Sequence, residues 1–529
     1  MKYQVSKGKK GGPREDGAIT KDWGGRLPVA LIYPNTYFLG MSNLGMHTVY
    51  KLFNANLRTV CERVFHEPSS HKPPLAIESG RPLADFAVLA FSISYELDYF
   101  NVVNILKASG IPLFAKDRDE RHPLVMAGGP CVTANPAPLS PFFDCFCLGE
   151  AEAILPQLIP TLQEGFNISR GDLLKALSKL PGIYAPSVPT ENPIKRQFAP
   201  DIDEFDTATA ILTPDTELGD LFLIEVERGC ARGCRFCLVH GNYAPMRFRS
   251  VDRIVACARE GLPKRRRLGL MGPAVTDHPR IAELLTRLNG IGAELSLSSM
   301  RINNLNKEVL DELAKGKAET ITIAPEAGSQ RLRDVVNKGI SEDDILSAVD
   351  RLGDYRFKQL KLYFIVGLPT ETDEDVQAIV KLAHDIKDRF DKRGSPMRIT
   401  LNASPFVPKA NTPFQWLPMA SQETLQNRMA ILRSSLPLKG IKLNEESPAW
   451  TRVQGVLSRG DNRVADALDR MHEVSLAGWQ RVVDLLELDL DYYVNRKWDT
   501  KQPLPWGMVD SGMSEERLCG ELEKALLPQ

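Results

Sequence analysis

Glu227-Arg228-Gly229-Cys230-Ala231-Arg232-Gly233-Cys234-Arg235-Phe236-Cys237 follows directly on the apolar run Leu221-Phe222-Leu223-Ile224-Glu225-Val226. The chain has nine cysteines in 529 residues, and three of them fall in this one loop after a predicted strand. Three thiolates from one loop can bind three irons of a cubane cluster and leave the fourth iron without a protein ligand. Gly229 and Gly233 let such a loop wrap tightly, and Phe236, just before the last cysteine, can shield one face of the cluster. Zinc is the rival metal. It needs a fourth ligand, for which His240 stands three residues on.

Outward from this loop the chain alternates. Toward the C-terminus, strands are predicted at 268–271, 294–297, 318–324, 360–366 and 399–402, with helix-length segments such as 307–315 and 373–390 between them. With 221–226 they make six strands, and residues 216–420 read as a partial (β/α)6 barrel whose chemistry lies at the C-terminal strand ends. Beyond about Ser421 the strands are expected to stop. Helices at 421–435, 462–487 and 514–526 then make residues 421–529 a mostly α C-terminal cap. Toward the N-terminus, buried strands at 29–33, 86–91 and 124–127 end in Gly, Pro or Ser loops, so residues 27–167 read as a doubly wound, Rossmann-like parallel sheet. Residues 168–215 carry many prolines and acids and read as a connector. Residues 1–26, rich in Gly and Lys, read as a flexible lead-in.

Composition narrows the classes further. Lys and Arg number 66 against 67 Asp and Glu, so no overall field recruits nucleic acid or an anionic membrane. No apolar run approaches the roughly 20 residues that span a bilayer. The charged N-terminus has no apolar stretch behind it, as a secretory signal would. The expected place is the cytoplasm, with the cysteines as thiols or metal ligands rather than disulfides.

The Cys-x3-Cys-x-aromatic-Cys arrangement in "RGCARGCRFC" resembles the hallmark loop of radical S-adenosylmethionine (SAM) enzymes. The resemblance implies a [4Fe–4S] cluster on Cys230, Cys234 and Cys237, and SAM as the second cofactor, cleaved to methionine and a 5′-deoxyadenosyl radical. Other stretches match in order. "GLMGPAVTDHP" at 269–279 stands where the family has a Gly-Gly-Glu-type motif for the methionine amino group; Gly272 fits it, but the acid is absent. "SLSSMR" at 296–301 nominates Ser299 and Arg301 for ribose and carboxylate. "IAPEAGSQRLR" at 323–333 nominates Glu326, and "FIVGLPTET" at 364–372 nominates Val366 and Gly367 beside adenine.

"VMAGGPCVTANP" and "FFDCFCLGEAEAILPQLI" resemble the cobalamin-binding-type domain that precedes the barrel in one large class of this superfamily. Cobalamin stays open as a third cofactor. The class's loop histidine, which can ligate cobalt, has no counterpart in Tyr33-Pro34-Asn35-Thr36-Tyr37-Phe38-Leu39-Gly40; His47, further on, reads as a packed or surface residue. Cys61, Cys131, Cys145 and Cys147 read as ordinary thiols, since their spacing does not resemble the second cluster of methylthiotransferases. "NASPFVPKANTPFQW" (402–416), the "RGD" at 459–461, the "GW" at 478–479 and "LPWGMVDSGMSEERL" (504–518) resemble a widespread bacterial group of such proteins. Trp416 and Trp506 read first as core or lid residues.

The resulting expectation is a radical SAM enzyme. With cobalamin, its reaction is C-methylation of an unidentified substrate; without it, a rearrangement, cyclisation or sulfur insertion. A non-catalytic Fe–S redox sensor is the alternative from another class. The expected partners are that substrate and an electron donor such as flavodoxin or ferredoxin. No catalytic side chain beyond the cluster ligands is nominated.

Overall fold

The computed structural model describes residues 13–527 apart from Ser69, His71 and Pro396; residues 1–12 of the expected lead-in lie outside the described residues. The chain forms two compact units. Of the described residues, one comprises those up to Asp220 with Val456–Asp489 and Pro503–Gly512; the other comprises Leu221–Gly455 with Leu490–Gln502 and those from Met513 on.

The first unit is built on strands β1 (Leu27–Tyr33), β2 (Thr59–Phe65), β3 (Val88–Ser92), β4 (Leu124–Gly128), β5 (Cys145–Cys147) and β6 (Ile183–Tyr184). They lie in the order β2-β1-β3-β4-β5-β6. All pairs are parallel except the last, in which β6 runs antiparallel to β5. Parallel strands covered on both faces read as unbroken apolar runs, and Val29, Ala30, Leu31 and Ile32 are accordingly buried. The strand order reverses between β1 and β3. At such a switch point the following loops diverge and leave a crevice for a ligand.

Strand β2 was not legible as a strand because Glu62 and Arg63 interrupt its apolar pattern. Both are buried and partnered: Arg63 pairs with Glu15 and Glu78 at 2.7 Å each, and Glu62 accepts a 2.7 Å hydrogen bond from Trp23 Nε1. Buried charges are tolerated when paired and hydrogen-bonded in this way. The same contacts correct the reading of residues 13–26 as flexible, because Glu15 and Trp23 tie them to β2 and the Ile19 backbone N–H donates to the Tyr50 hydroxyl. The segment 168–215 contributes the helix Arg170–Leu177 and β6 to this unit. The helices Val464–Arg470 and Leu476–Leu485 also belong to it. Trp479 meets Phe100 edge-on at 5.8 Å, and Asn135 Nδ2 donates to the carbonyls of Ser458 and Gly460.

The second unit contains β7 (Leu221–Glu225), β8 (Arg267–Met271), β9 (Glu294–Leu297), β10 (Thr320–Glu326), β11 (Gln359–Val366), β12 (Arg398–Pro405) and β13 (Lys442–Glu445). They form two parallel sheets, β9-β8-β7 and β10-β11-β12-β13. The six anticipated strands are present. β13 overturns the expectation that strands stop near Ser421. Its sequence, Lys442-Leu443-Asn444-Glu445, lies on an exposed sheet edge and carries no apolar alternation to announce it. Trp416 and Trp506 are both buried. Among the described residues, no helix is long and apolar enough to cross a membrane.

Candidate functional site

The cysteine loop leaves from the C-terminal end of β7. Residues 227–228 pair antiparallel with 247–248, which turns the chain back before Gly229. Gly229 has φ +83°, and a Cβ there would lie 2.5 Å from the Tyr243 carbonyl oxygen, so the turn requires glycine. Beyond it Cys230, Cys234 and Cys237 are free, partly exposed thiols. Residues 334–337 brace the loop. The Arg235 guanidinium donates to the carbonyls of Asp334 and Val335, the Arg235 backbone N–H donates to the Val336 carbonyl, and Asn337 Nδ2 donates to the Gly233 carbonyl.

Burial raises the Cys234 thiol and pushes Cys237 up to about 12. Thiols in such a position need a strong cation to hold them as thiolates, which a metal centre supplies. Three thiols on one braced loop are the donor set that three corners of an iron–sulfur cubane take. Among the described residues no three or more His, Cys, Asp or Glu side chains, these cysteines included, are gathered tightly enough to hold a metal ion.

Gly272 follows β8, and its N–H donates to Ser298 Oγ at 3.1 Å. A Cβ at Gly272 would lie 2.6 Å from Cγ of Glu227, a residue that sequence reading did not nominate. Glu227 is buried; its Oε1 accepts a hydrogen bond from the Ala274 N–H, and its Oε2 has no hydrogen-bond partner among the described residues. Burial, with Asp277 adding to it, pushes the Glu227 carboxyl up to about 7 against the pull of the Ala274 N–H. An unsatisfied buried oxygen costs about 1–3 kcal/mol, so a ligand that satisfies it recovers that energy.

Ser299 sits where the turn after β8 meets β9: its carbonyl accepts from the Val275 N–H at 3.2 Å. Arg301 is nearly buried, its N–H donates to Thr276 Oγ1, and its Nε lies 3.6 Å from Asp277 Oδ1. Arg301 Nε makes no hydrogen bond among the described residues. Glu326 ends β10 with φ +67° and accepts a 2.9 Å hydrogen bond from Lys338. Burial opposes the charge on Lys338, but the facing Glu326 outweighs it and raises its pKa. Lys338, Glu326 and Arg301 all act electrostatically on Cys234, so the end of β10, the loop after the helix Gln330–Val335 and the loop after β9 all lie near the cysteine loop.

Val366 and Gly367 form a separately held turn. Val366 is buried at the end of β11; Gly367 has φ +83°, and its N–H donates to Glu371 Oε2 at 2.6 Å. Arg428 Nη1 donates to the same carboxyl oxygen, and Arg428 Nη2 to the Glu371 carbonyl. Burial pushes the Glu371 carboxyl up to about 7.

In the first unit, the loops after β1 and β3 are stitched across the switch point by Asn35 Nδ2 to Asp98 at 2.7 Å and Asn43 Nδ2 to Ser94 at 3.1 Å. After β4, Gly129 has φ +111°, and a Cβ there would lie 2.5 Å from the Ile93 carbonyl oxygen. His66, directly after β2, keeps a buried Nε2 without a partner among the described residues. His47 is committed elsewhere. Its Nε2 bonds the Met41 carbonyl, and its Nδ1 accepts from the N–H groups of Ala210 and Ile211. The edge thus offers polar side chains and one orphaned imidazole nitrogen, which fits a large polar ligand such as cobalamin. Cys61 and Cys145 are buried on β2 and β5, with three strands between them, an arrangement unlike a second cluster site.

Residues 45–186 match the N-terminal region of radical SAM proteins, and residues 224–383 match the radical SAM superfamily. An uncharacterised protein of Methanocaldococcus jannaschii is 31% identical over 452 residues, covering 83% of this chain and 90% of its own. Among solved structures, the radical SAM methyltransferase TsrM from Kitasatospora setae, with cobalamin and a [4Fe–4S] cluster bound, aligns at a TM-score of 0.51 and 12% identity. That alignment covers 87% of this chain and 99% of TsrM. The cobalamin-dependent SAM radical enzyme OxsB with aqua-cobalamin bound aligns at a TM-score of 0.52 and 13% identity, over 95% of this chain and 79% of OxsB.

Proposed function

The chain belongs to the radical SAM superfamily, and on that footing we propose that it is a cobalamin-dependent radical SAM enzyme that methylates an unactivated carbon. The observation that carries this reading is the presence, in one chain, of the cysteine loop at the end of β7 and a doubly wound sheet with a polar crevice edge between β1 and β3. Support comes from TsrM and OxsB, whose cobalamin-bound folds align over most of this chain.

In this reading Cys230, Cys234 and Cys237 hold three irons of a [4Fe–4S] cluster and leave the fourth for SAM. When bound, the cluster supplies the electron that splits SAM into methionine and a 5′-deoxyadenosyl radical, and cobalamin supplies a carrier for the transferred methyl group. The chain's residues orient the reactants. Gly272 keeps the turn after β8 free of a side chain. Ser299 and Arg301 would meet the SAM ribose and carboxylate, Arg301 with guanidinium donors held beside Asp277. Glu326 holds Lys338 charged near Cys234. Val366 and Gly367 shape a tight, water-poor turn beside the adenine. On the first unit, Asn35, Asn43 and Ser94 would line the crevice edge that receives the corrin, which would supply the methyl carrier there. The electron reaches the cluster from a donor such as flavodoxin or ferredoxin, in the cytoplasm, where thiols stay reduced.

The test is anaerobic reconstitution after purification from cobalamin-supplemented cells. The purified protein should show a cobalamin spectrum near one equivalent. Reduction with SAM should yield 5′-deoxyadenosine, which Cys234→Ala abolishes. 5′-Deoxyadenosine formation that persists in Cys234→Ala sinks the cluster assignment, and protein that never retains cobalamin sinks the methylation reading alone.

A further inference from the structure

We propose that Glu227 is the carboxylate that receives the α-ammonium group of SAM. The inference rests on the reading of the chain as a SAM-cleaving enzyme and names the residue that one end of SAM meets.

Three observations carry it. The first is an unmet valence. Glu227 is 1% exposed, and one carboxyl oxygen accepts from the Ala274 N–H while the other accepts nothing among the described residues. A carboxylate oxygen can accept two hydrogen bonds, so this side chain is built around a donor that the protein itself does not provide. The nearby cations are engaged with other acids: Arg228 and Arg249 pair with Glu225, and Arg232 and Arg301 lie against Asp277.

The second is place. Glu227 stands three residues before Cys230, just past the end of β7, and its side chain lies against the turn after the neighbouring strand β8. In parallel α/β architectures ligands gather at these C-terminal strand ends. The third is accommodation. Any side chain at residue 272 would strike Glu227, since a Cβ there comes within 2.6 Å of its Cγ. The glycine after β8 therefore makes room for a carboxylate that arrives from β7, in a turn whose own residues, Gly272-Pro273-Ala274, carry no acid.

Of the groups on SAM, the ammonium alone joins a positive charge to several N–H donors; the sulfonium has no proton, and the adenine amine is neutral. An ammonium satisfies Glu227 Oε2 by a charge-assisted hydrogen bond, the strongest kind available to a carboxylate.

The experiment compares SAM with its analogue lacking the α-amino group, measured by equilibrium dialysis against anaerobically reconstituted full-length protein, wild type and Glu227→Gln, with iron and sulfide content determined for each. Wild type should bind SAM more tightly than the deaminated analogue. Glu227→Gln should keep its iron, lose SAM affinity by about tenfold or more, as expected for one charge-assisted bond, and bind the analogue as wild type does. Equal affinity of the wild type for both ligands overturns the proposal without recourse to any variant, so a variant that folds poorly does not protect it. A variant that keeps the full preference for SAM overturns it as well. Wild-type protein that carries the cluster yet binds no SAM refutes instead the reading on which the proposal stands.

Discussion

Glu326 and Lys338 face each other at 2.9 Å, with Glu326 in the left-handed region at φ +67° and both side chains mostly buried. Removing one partner of such a pair leaves an uncompensated charge, whereas removing both leaves none. Glu326→Gln is therefore expected to destabilise the protein by about 3 kcal/mol. The double variant Glu326→Gln/Lys338→Met should recover much of that loss, read as thermal midpoints of the metal-free protein. Additive losses in the double variant would show that the two side chains act independently.

The histidine that a sequence search for a cobalt ligand encounters has a structural task, and acid reveals it. Burial lowers the pKa of His47 from about 6.5 to about 4, with its hydrogen bond to the Met41 carbonyl opposing the shift. Between those values the unfolded chain takes up a proton that the folded protein refuses, so the stability due to His47 is complete above pH 6.5 and is lost as the pH falls toward 4. The shift corresponds to roughly 3 kcal/mol over that window. His47→Gln keeps a donor and an acceptor but does not titrate. Its unfolding temperature should fall less than that of wild type between pH 7 and pH 5, and parallel profiles would exclude His47 as the titrating group.

The strand ends and the cysteine loop were legible because local patterns mark them: apolar runs closed by glycines, and three thiols in a single loop. What stayed hidden depends on partners distant in sequence. Strand β2 looks charged until Glu15 and Glu78 are brought to Arg63. Glu227 reads as an ordinary acid beside an arginine, since the Ala274 N–H that fixes it is 47 residues away. Strand β13 needs only the edge of β12, and polar residues suffice there. Nor does helical periodicity say which unit Trp479 joins; the edge-on contact with Phe100 does.

Gly367 tests the turn after β11. A Cβ at this position would come 2.6 Å from Leu425 Cδ2, and alanine is strained at φ +83°. Strain of this kind costs about 1–3 kcal/mol. Gly367→Ala should lower the unfolding temperature and weaken SAM binding while iron content stays at the wild-type level, because the cysteine loop is braced by residues 334–337. Unchanged SAM affinity would remove Val366 and Gly367 from the binding site.

Thiol chemistry separates the two kinds of cysteine in this chain. Cys61 and Cys145 are fully buried, and burial raises both thiols well above the ordinary range, so neither presents a thiolate to a reagent in the folded protein. Cys230, Cys234 and Cys237 are partly exposed. Alkylation of metal-free protein, mapped by peptide mass, should reach the partly exposed loop cysteines before Cys61 and Cys145, with Cys234 and Cys237 slower than Cys230 because burial raises their thiols, and Cys61 and Cys145 should react only once denaturant is added. Reconstitution with iron and sulfide should then protect Cys230, Cys234 and Cys237 together, because each thiolate is committed to an iron, and should leave Cys519, which is partly exposed and outside the loop, as reactive as before. Protection of only one or two of the three would show that the cluster is held by a different set of ligands.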